Sequence, residues 1–198
     1  GLSSEQLALR GAAIREAFEE SGVLLARPRG AAQMVGPALI DVLGPTYRKA
    51  LDQGEIGIAD MLEREGLVLA CEALVPFAHW TTPTFMPKRF DTRFYLAAAP
   101  AEQVLLHDGS EAVDSVWIRP QDAIAQAKAG TRTIVPATLL NIEKLGRSTT
   151  VADAIAAARA DTIIEVLPER IDSADGITLR IPAAAGYGIT EFSLGAGG

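Results

Sequence analysis

The stretch AAIREAFEESGVLLA, residues 12–26, sets three carboxylates, Glu16, Glu19 and Glu20, beside one arginine, Arg15, in an otherwise apolar run. Upstream, Ser3 and Gln6 have capping-box spacing, and downstream Gly22 is a stop signal. The whole of SSEQLALRGAAIREAFEESG is therefore expected to form one helix, followed by a short strand in VLLA. Residues three and four apart share a helix face, so Glu16 neighbours both Glu19 and Glu20, and Arg15 lies over Glu19. The Arg15–Glu19 pair reads as an orienting salt bridge. Glu16 and Glu20 are like charges at a spacing that costs a helix roughly a few tenths of a kcal/mol unless something neutralises them. A divalent cation would do so. Hard oxygen donors suit Mg²⁺ or Mn²⁺, and Mg²⁺ commonly takes one or two carboxylates, completing its shell with water and substrate phosphates. The competing reading is a solvated acidic face, which the charges taken alone favour.

Composition narrows the classes of partner. The chain has 198 residues, 48% hydrophobic and 22% charged, with a net charge of −7. It is long enough to bury a core and too apolar for disorder. The negative balance argues against nucleic acid or an anionic membrane as partner, since either needs a broad basic surface. Cys71, in the apolar run LVLACEAL, is the one cysteine, so no internal disulfide is available and a reducing cytoplasm is the expected setting. It reads as a small buried residue. No apolar run approaches membrane-spanning length.

The remaining pattern alternates. Residues 36–65 read as a helical insertion in two or three pieces, punctuated by Pro37, Pro45, Gly54 and Gly66. Strands follow in LVLACEALVPFAHW, RFDTRFYLAAA, EQVLL and EAVDSVWI. Pro120 and Pro136 each open a helix, and a third helix, STTVADAIAAARA, is expected to be capped by Ser148. TIIEVL and a hairpin turning on Asp175-Gly176 complete the pattern.

REAFEESGV resembles the second half of the Nudix box, Arg-Glu-apolar-x-Glu-Glu-x-Gly-apolar. Arg15, Glu16, Ala17, Glu19, Glu20, Gly22 and Val23 fill every specified position. EAVDSVWIRPQDAIAQAKAG is similar to the late Nudix segment, in which an acidic strand with a tryptophan runs into a Pro-started helix. HWTTPTFMPKRFDTRFYLA and IVPATLLNIEKLG resemble one branch, the coenzyme A diphosphatases of the organellar, kidney-abundant type and their bacterial relatives. The resemblance runs from about residue 7 to about residue 146.

The resemblance implies an α/β (α+β) fold, the Nudix α/β/α sandwich with a mixed sheet. The box helix would lie near the N-terminus, with extra helices in the insertion and near the C-terminus. It implies one Nudix domain over 1–198 with 148–198 as a C-terminal helix and hairpin appendage. It implies a metal-dependent pyrophosphohydrolase acting on a small-molecule diphosphate, with Glu16 and Glu20 as Mg²⁺ or Mn²⁺ ligands. Glu19 would be a further ligand or the partner of Arg15. Coenzyme A or its thioesters are the expected substrates, with ADP-ribose or another nucleotide sugar as the alternative within the enzyme class. A Nudix-like domain that binds a nucleotide without cleaving it is the alternative outside it.

One departure bears on that last alternative. A full box has a glutamate eight positions before the arginine, where this chain has Leu7, and no Gly-Gly segment precedes it. The first half of the box and the sheet strands before it are accordingly expected N-terminal to residue 1. Without them, Leu9, Ile14 and Phe18 are expected to lack full cover, leaving a patch that invites a homodimer.

Other residues complete the expected site. Lys88, Arg89 and Arg93 form the basic cluster suited to phosphates, with Arg27 and Arg29 as further cations. His79, at a strand end, is a weaker candidate for the same role. Trp80 and Phe90 offer base stacking, with core packing the commoner role for both. Glu111 competes with Glu16 as the general base, beside Asp114, and His107 reads as turn surface.

Overall fold

The carboxylate-bearing segment folds as helix α1, Ser4–Ser21, with the expected boundaries. Gln6 N donates to the Ser3 hydroxyl at 3.2 Å, and Ser3 N donates to Gln6 Oε1 at 2.9 Å, closing the capping box. At the other end Gly22 takes φ 76°, which a side chain would resist, and its N–H bonds Phe18 O. The computed structural model describes residues 1–100, 103, 116–173 and 176–193, Ser173 in its backbone alone. The chain divides into two compact units, Gly1–Leu74 with Ala97–Trp117, and Val75–Leu96 with Ile118–Gly198.

In the first unit α1 packs on α2, Pro37–Asp52, and on a 3₁₀ turn, Cys71–Ala73. Strand β1, Ala26–Pro28, pairs antiparallel with β2, Leu67–Leu69, and α3, Ile58–Arg64, precedes β2. The strand expected in VLLA begins only at Ala26. The reason is that Leu24 bonds a side chain instead of a strand. Its N–H donates to Gln103 Oε1 at 3.1 Å, and Gln103 Nε2 donates to the carbonyls of Leu24 at 3.2 Å and Val35 at 3.0 Å. Ile14, Phe18, Leu24, Leu43 and Met61 are fully buried. The expected lack of cover is thus corrected: Ile14 and Phe18 are sealed, and Leu9 is half-buried.

Two arginines fix α1 from either side. Arg10, buried in α1, donates to the carbonyls of Cys71 at 2.9 Å and Leu74 at 2.6 Å. Arg48 of α2 donates from Nε and Nη2 to the Glu19 carbonyl at 3.1 and 2.8 Å, placing a cation at the helix C-terminus where the dipole favours one. Cys71 is half-buried rather than buried, and desolvation pushes its thiol pKa up.

The second unit holds two sheets. In the first, β3, Val75–Thr81, lies between β4, Asp91–Leu96, and β5, Glu165–Val166; β4 is antiparallel to β3 and β5 parallel, so the sheet is mixed. Pro76 lacks an N–H for the ladder, and the register slips between Pro76 and Ala78. Helices α4, Pro120–Lys128, and α5, Pro136–Leu145, both start on proline as expected. Helix α6, Val151–Ala160, is capped by Thr150, not Ser148, because the Thr150 hydroxyl both accepts from Asp153 N and donates to Asp153 Oδ2. The second sheet has β7, Gly176–Arg180, between β6, Glu169–Ser173, and β8, Glu191–Ser193, a strand the sequence pattern does not announce.

Trp80 is core, as expected, packed with Val166, Leu140, Ile181 and Tyr187. Its Nε1 donates to Tyr187 Oη at 2.7 Å, and that hydroxyl donates to Asn141 Oδ1 at 2.7 Å. Phe90 departs from expectation, since it is 54% exposed. No helix among the described residues is long and apolar enough to cross a membrane.

Candidate active site

The helical register of α1 separates the three glutamates into two kinds. Arg15 Nη1 lies 2.9 Å from both carboxylate oxygens of Glu19, and Arg15 Nη2 is 3.2 Å from Glu16 Oε1. Glu19 is buried, while Glu16 and Glu20 are exposed. Burial pushes the Glu19 carboxyl pKa up, and the Arg15 guanidinium opposes this without cancelling it. Of the two roles open to Glu19, partner of Arg15 is the one its contacts occupy.

Glu16 and Glu20 remain as solvent-facing oxygen donors one turn apart. No group of three or more His, Cys, Asp or Glu is gathered as a metal cage among the described residues. The donor set nonetheless fits Mg²⁺ or Mn²⁺. Two hard carboxylates on one exposed face suit an ion that keeps waters and takes substrate oxygens for the rest of its shell.

The second unit holds most of the expected phosphate ligands, in two subsets. His79 on β3 faces Arg93 on β4, and both engage Asp91 Oδ1, His79 Nε2 at 2.5 Å and Arg93 Nε at 3.3 Å. Hydrogen bonds from Arg93 and His79 hold the Asp91 carboxyl below its usual range. Lys88 and Arg89 sit apart from these, in the loop between β3 and β4. Lys88 Nζ is 4.9 Å from the Phe90 ring centroid, and Arg89 Nε donates to Thr82 O at 3.1 Å. In the first unit Arg27 pairs with Glu72 and donates to Ala32 O, and Arg29 is exposed. Glu111, Asp114 and His107 lie outside the described residues.

Sequence pattern missed the residues that hold these groups in place. Arg10 and Arg48 fall within the expected helical segments, and Gln103 and Asp91 within the expected strands EQVLL and RFDTRFYLAAA. Partners distant in the chain reveal Arg10, Arg48 and Gln103, and Asp91 is revealed by its bonds to His79 and Arg93.

The family model for the NUDT19 Nudix domain matches residues 3–145. The acyl-coenzyme A diphosphatase NUDT19 of Homo sapiens is 29% identical over 160 residues, 77% of this chain and 43% of that protein. The protein of the same name from Gallus gallus is 27% identical over 195 residues, 89% of this chain and 51% of that one. Putative nudix hydrolase 7 of Caenorhabditis elegans is 26% identical over 138 residues, 70% and 44% of the two chains. The chain thus spans about half the length of these relatives or less. The crystal structure of a NUDIX hydrolase from Alicyclobacillus acidocaldarius superposes with a TM-score of 0.66 at 23% identity, covering 79% of this chain and 68% of that one. That likeness identifies the fold as the Nudix α/β/α type. With the family model spanning most of the chain and the Arg-Glu half of the box intact on α1, the chain belongs to the NUDT19 Nudix domain family, in the coenzyme A diphosphatase-like branch of the Nudix superfamily.

Proposed function

We propose that this chain carries the catalytic helix of a metal-dependent diphosphatase that hydrolyses coenzyme A or its thioesters to 3',5'-ADP and 4'-phosphopantetheine or its acyl form. The observation that carries this reading is the division of labour on α1. One buried glutamate is tied to Arg15, and two exposed glutamates, Glu16 and Glu20, lie one turn apart. The names of the NUDT19 relatives support the choice of coenzyme A over other diphosphates.

In this reading Glu16 and Glu20 hold Mg²⁺ or Mn²⁺. The ion, when bound, neutralises charge developing on the diphosphate and makes bound water more acidic. Arg15 holds Glu19 and steadies Glu16, which keeps the carboxylate face in one geometry. Water attacks one phosphorus, the bond to the bridging oxygen breaks, and a carboxylate takes the proton from the water. That base is Glu16 or Glu111. Lys88, Arg89, Arg93 and His79 are the proposed contacts to substrate phosphates. A reducing, cytoplasmic setting belongs to the same reading, supported by the single cysteine.

The test is a substrate panel of coenzyme A, decanoyl-coenzyme A, ADP-ribose, NADH and a dinucleoside polyphosphate, with Mg²⁺ or Mn²⁺, followed by release of nucleotide products. Release of 3',5'-ADP from coenzyme A or its thioester is the expected result. Preferential turnover of ADP-ribose would move the assignment within the enzyme class. No turnover of any would leave a nucleotide-binding domain.

A further inference from the structure

One face of the first sheet gathers polar side chains. Alternate residues of a strand share a face, so His79 goes with Thr81 on β3, and Asp91 with Arg93 on β4. The register sets His79 opposite both Arg93 on β4 and Glu165 on β5. A single oxygen organises the group. Asp91 Oδ1 accepts from His79 Nε2 at 2.5 Å and from Arg93 Nε at 3.3 Å. Bonds from Arg93 and His79 hold the Asp91 carboxyl below its usual range, so at neutral pH it can only accept, and Nε2 is the ring nitrogen that carries the proton.

Those bonds use one nitrogen of each side chain and leave the others. Among the described residues neither Nη group of Arg93 nor Nδ1 of His79 has a hydrogen-bond partner. The two Nη groups form a planar fork suited to phosphoryl oxygens. Nδ1 is different. With Nε2 protonated, a neutral ring offers a lone pair at Nδ1 that repels an anion, and that nitrogen donates only when the ring takes a second proton.

Of the charged groups around the ring, only Asp91 bonds it. On β4 the others are Arg93 and, further along, Tyr95, and on β5 Glu165 accepts from Thr81 Oγ1 at 2.7 Å. Helix α6, packed on β3, carries Asp153, held by the Thr149 and Thr150 hydroxyls, Asp161, paired with Lys144, and the exposed Arg159.

We propose that Asp91 is the positioning residue of a phosphoryl-binding pair: it holds Nε2 of His79 and Nε of Arg93, so that the Arg93 fork and a protonated Nδ1 grip one phosphoryl group together. The proton comes from solvent and goes to Nδ1 as the group binds. That the phosphoryl group belongs to a diphosphate substrate rests on the diphosphatase reading. The alignment by Asp91 and the proton on Nδ1 do not.

The sign of one effect separates this role from that of a bystander. A carboxylate that merely lies near a bound anion repels it, so its removal would tighten binding. A carboxylate that aligns two donors weakens binding when removed. The probe is inorganic pyrophosphate, titrated without metal into the full chain by calorimetry. Asp91→Ala is expected to weaken its binding about tenfold, and Asp91→Asn, which keeps an acceptor oxygen, to weaken it less. Asp91 is exposed, so both variants should melt with the parent. In a background of His79→Gln with Arg93→Met, Asp91→Ala should change affinity by less than about twofold, because the residues it acts through are gone.

The ring itself reports the proton. The chain has two histidines, so His107→Gln leaves His79 as the one imidazole in nitrogen NMR spectra. At about pH 8 the free protein should show Nε2 protonated and Nδ1 bare, and saturating pyrophosphate should move Nδ1 to the protonated position. An Nδ1 signal that stays in place overturns the proposal, as do unchanged or tighter binding in Asp91→Ala, an equal loss in the double-variant background, or no saturable binding. In turnover Asp91→Ala should raise KM about tenfold and leave kcat within about twofold. Absence of turnover for every substrate of the panel would sink the diphosphatase reading and leave the pyrophosphate titration standing.

Discussion

Arg15 grips Glu19 with one nitrogen, Nη1, at 2.9 Å from each carboxylate oxygen, and the Glu19 side chain is 8% exposed against 35% for Arg15. The pair is therefore asymmetric: the acid is buried and its partner half in water. Arg15→Ala would leave a buried carboxylate without its cation, at a cost of about 1–3 kcal/mol near neutral pH. The pH dependence has a definite sign. Burial already raises the folded Glu19 pKa above the ordinary 4.5, and removing Arg15 raises it further. A carboxyl that binds its proton more tightly when folded contributes less stability as pH rises from the unfolded toward the folded pKa. The deficit of Arg15→Ala should accordingly shrink as pH falls toward about 4.5. Urea unfolding of both proteins across this range measures it, and a deficit that does not change with pH would contradict the assignment.

Glu16 and Glu20 should behave in the opposite way, costing activity and not stability. Both are exposed, so Glu16→Gln and Glu20→Gln should stay within about 0.5 kcal/mol of the parent in metal-free buffer. Turnover should fall by about 10²-fold or more in each. Mg²⁺ should raise the melting temperature of the parent and do so less in either variant, while a chelator should abolish the difference. Normal turnover in both variants would leave only a solvated acidic face. A pH–rate profile for Glu16→Gln beside Glu111→Gln separates the two candidate bases.

Legibility followed the range of the interactions. The α1 boundaries, its capping box and its Gly22 stop were readable because each depends on residues within one turn of the helix end. The Arg15–Glu19 pair was readable for the same reason. The roles of Arg10, Arg48 and Gln103 were not, because their partners are carbonyls or amides tens of residues away and any long polar side chain could have filled the position. The α6 cap was misplaced by two residues, since Ser148, Thr149 and Thr150 all have capping chemistry and only the bonds to Asp153 distinguish them. Phe90 was misread because an apolar residue within an expected strand is usually buried, and here β4 begins only at Asp91, leaving Phe90 exposed in the loop before it.

Arg10 offers a test of what holds the start of α1. Its guanidinium satisfies the carbonyls of Cys71 and Leu74 inside the first unit. Arg10→Met keeps an apolar stem of similar length but donates nothing. The carbonyls would lose buried donors, and a destabilisation of about 1–3 kcal/mol is expected. Amides of the turn at residues 71–74 should exchange faster with solvent than in the parent, ahead of those in β3. Unchanged protection there would mean that the turn is held by its own backbone bonds.

Tyr187 should be the most sensitive single hydroxyl in the second unit. It accepts from Trp80 Nε1 and donates to Asn141 Oδ1, both at 2.7 Å, and all three residues are buried. Asn141 Nδ2 already lacks a partner among the described residues. Tyr187→Phe would therefore orphan an indole N–H and strip the asparagine of its remaining bond, for about 1–3 kcal/mol. Burial holds the Tyr187 hydroxyl pKa above its ordinary 10.0. In the unfolded chain the phenol ionises first, so stability of the parent should fall as pH rises past that value. Tyr187→Phe has no such group and lacks this part of the alkaline loss. The stability advantage of the parent should thus narrow between about pH 9 and pH 11. Asn141→Leu in the Tyr187→Phe background removes the orphaned amide and should cost less than it does in the parent. Strict additivity of the two substitutions would mean that the three side chains do not act as one hydrogen-bonded chain.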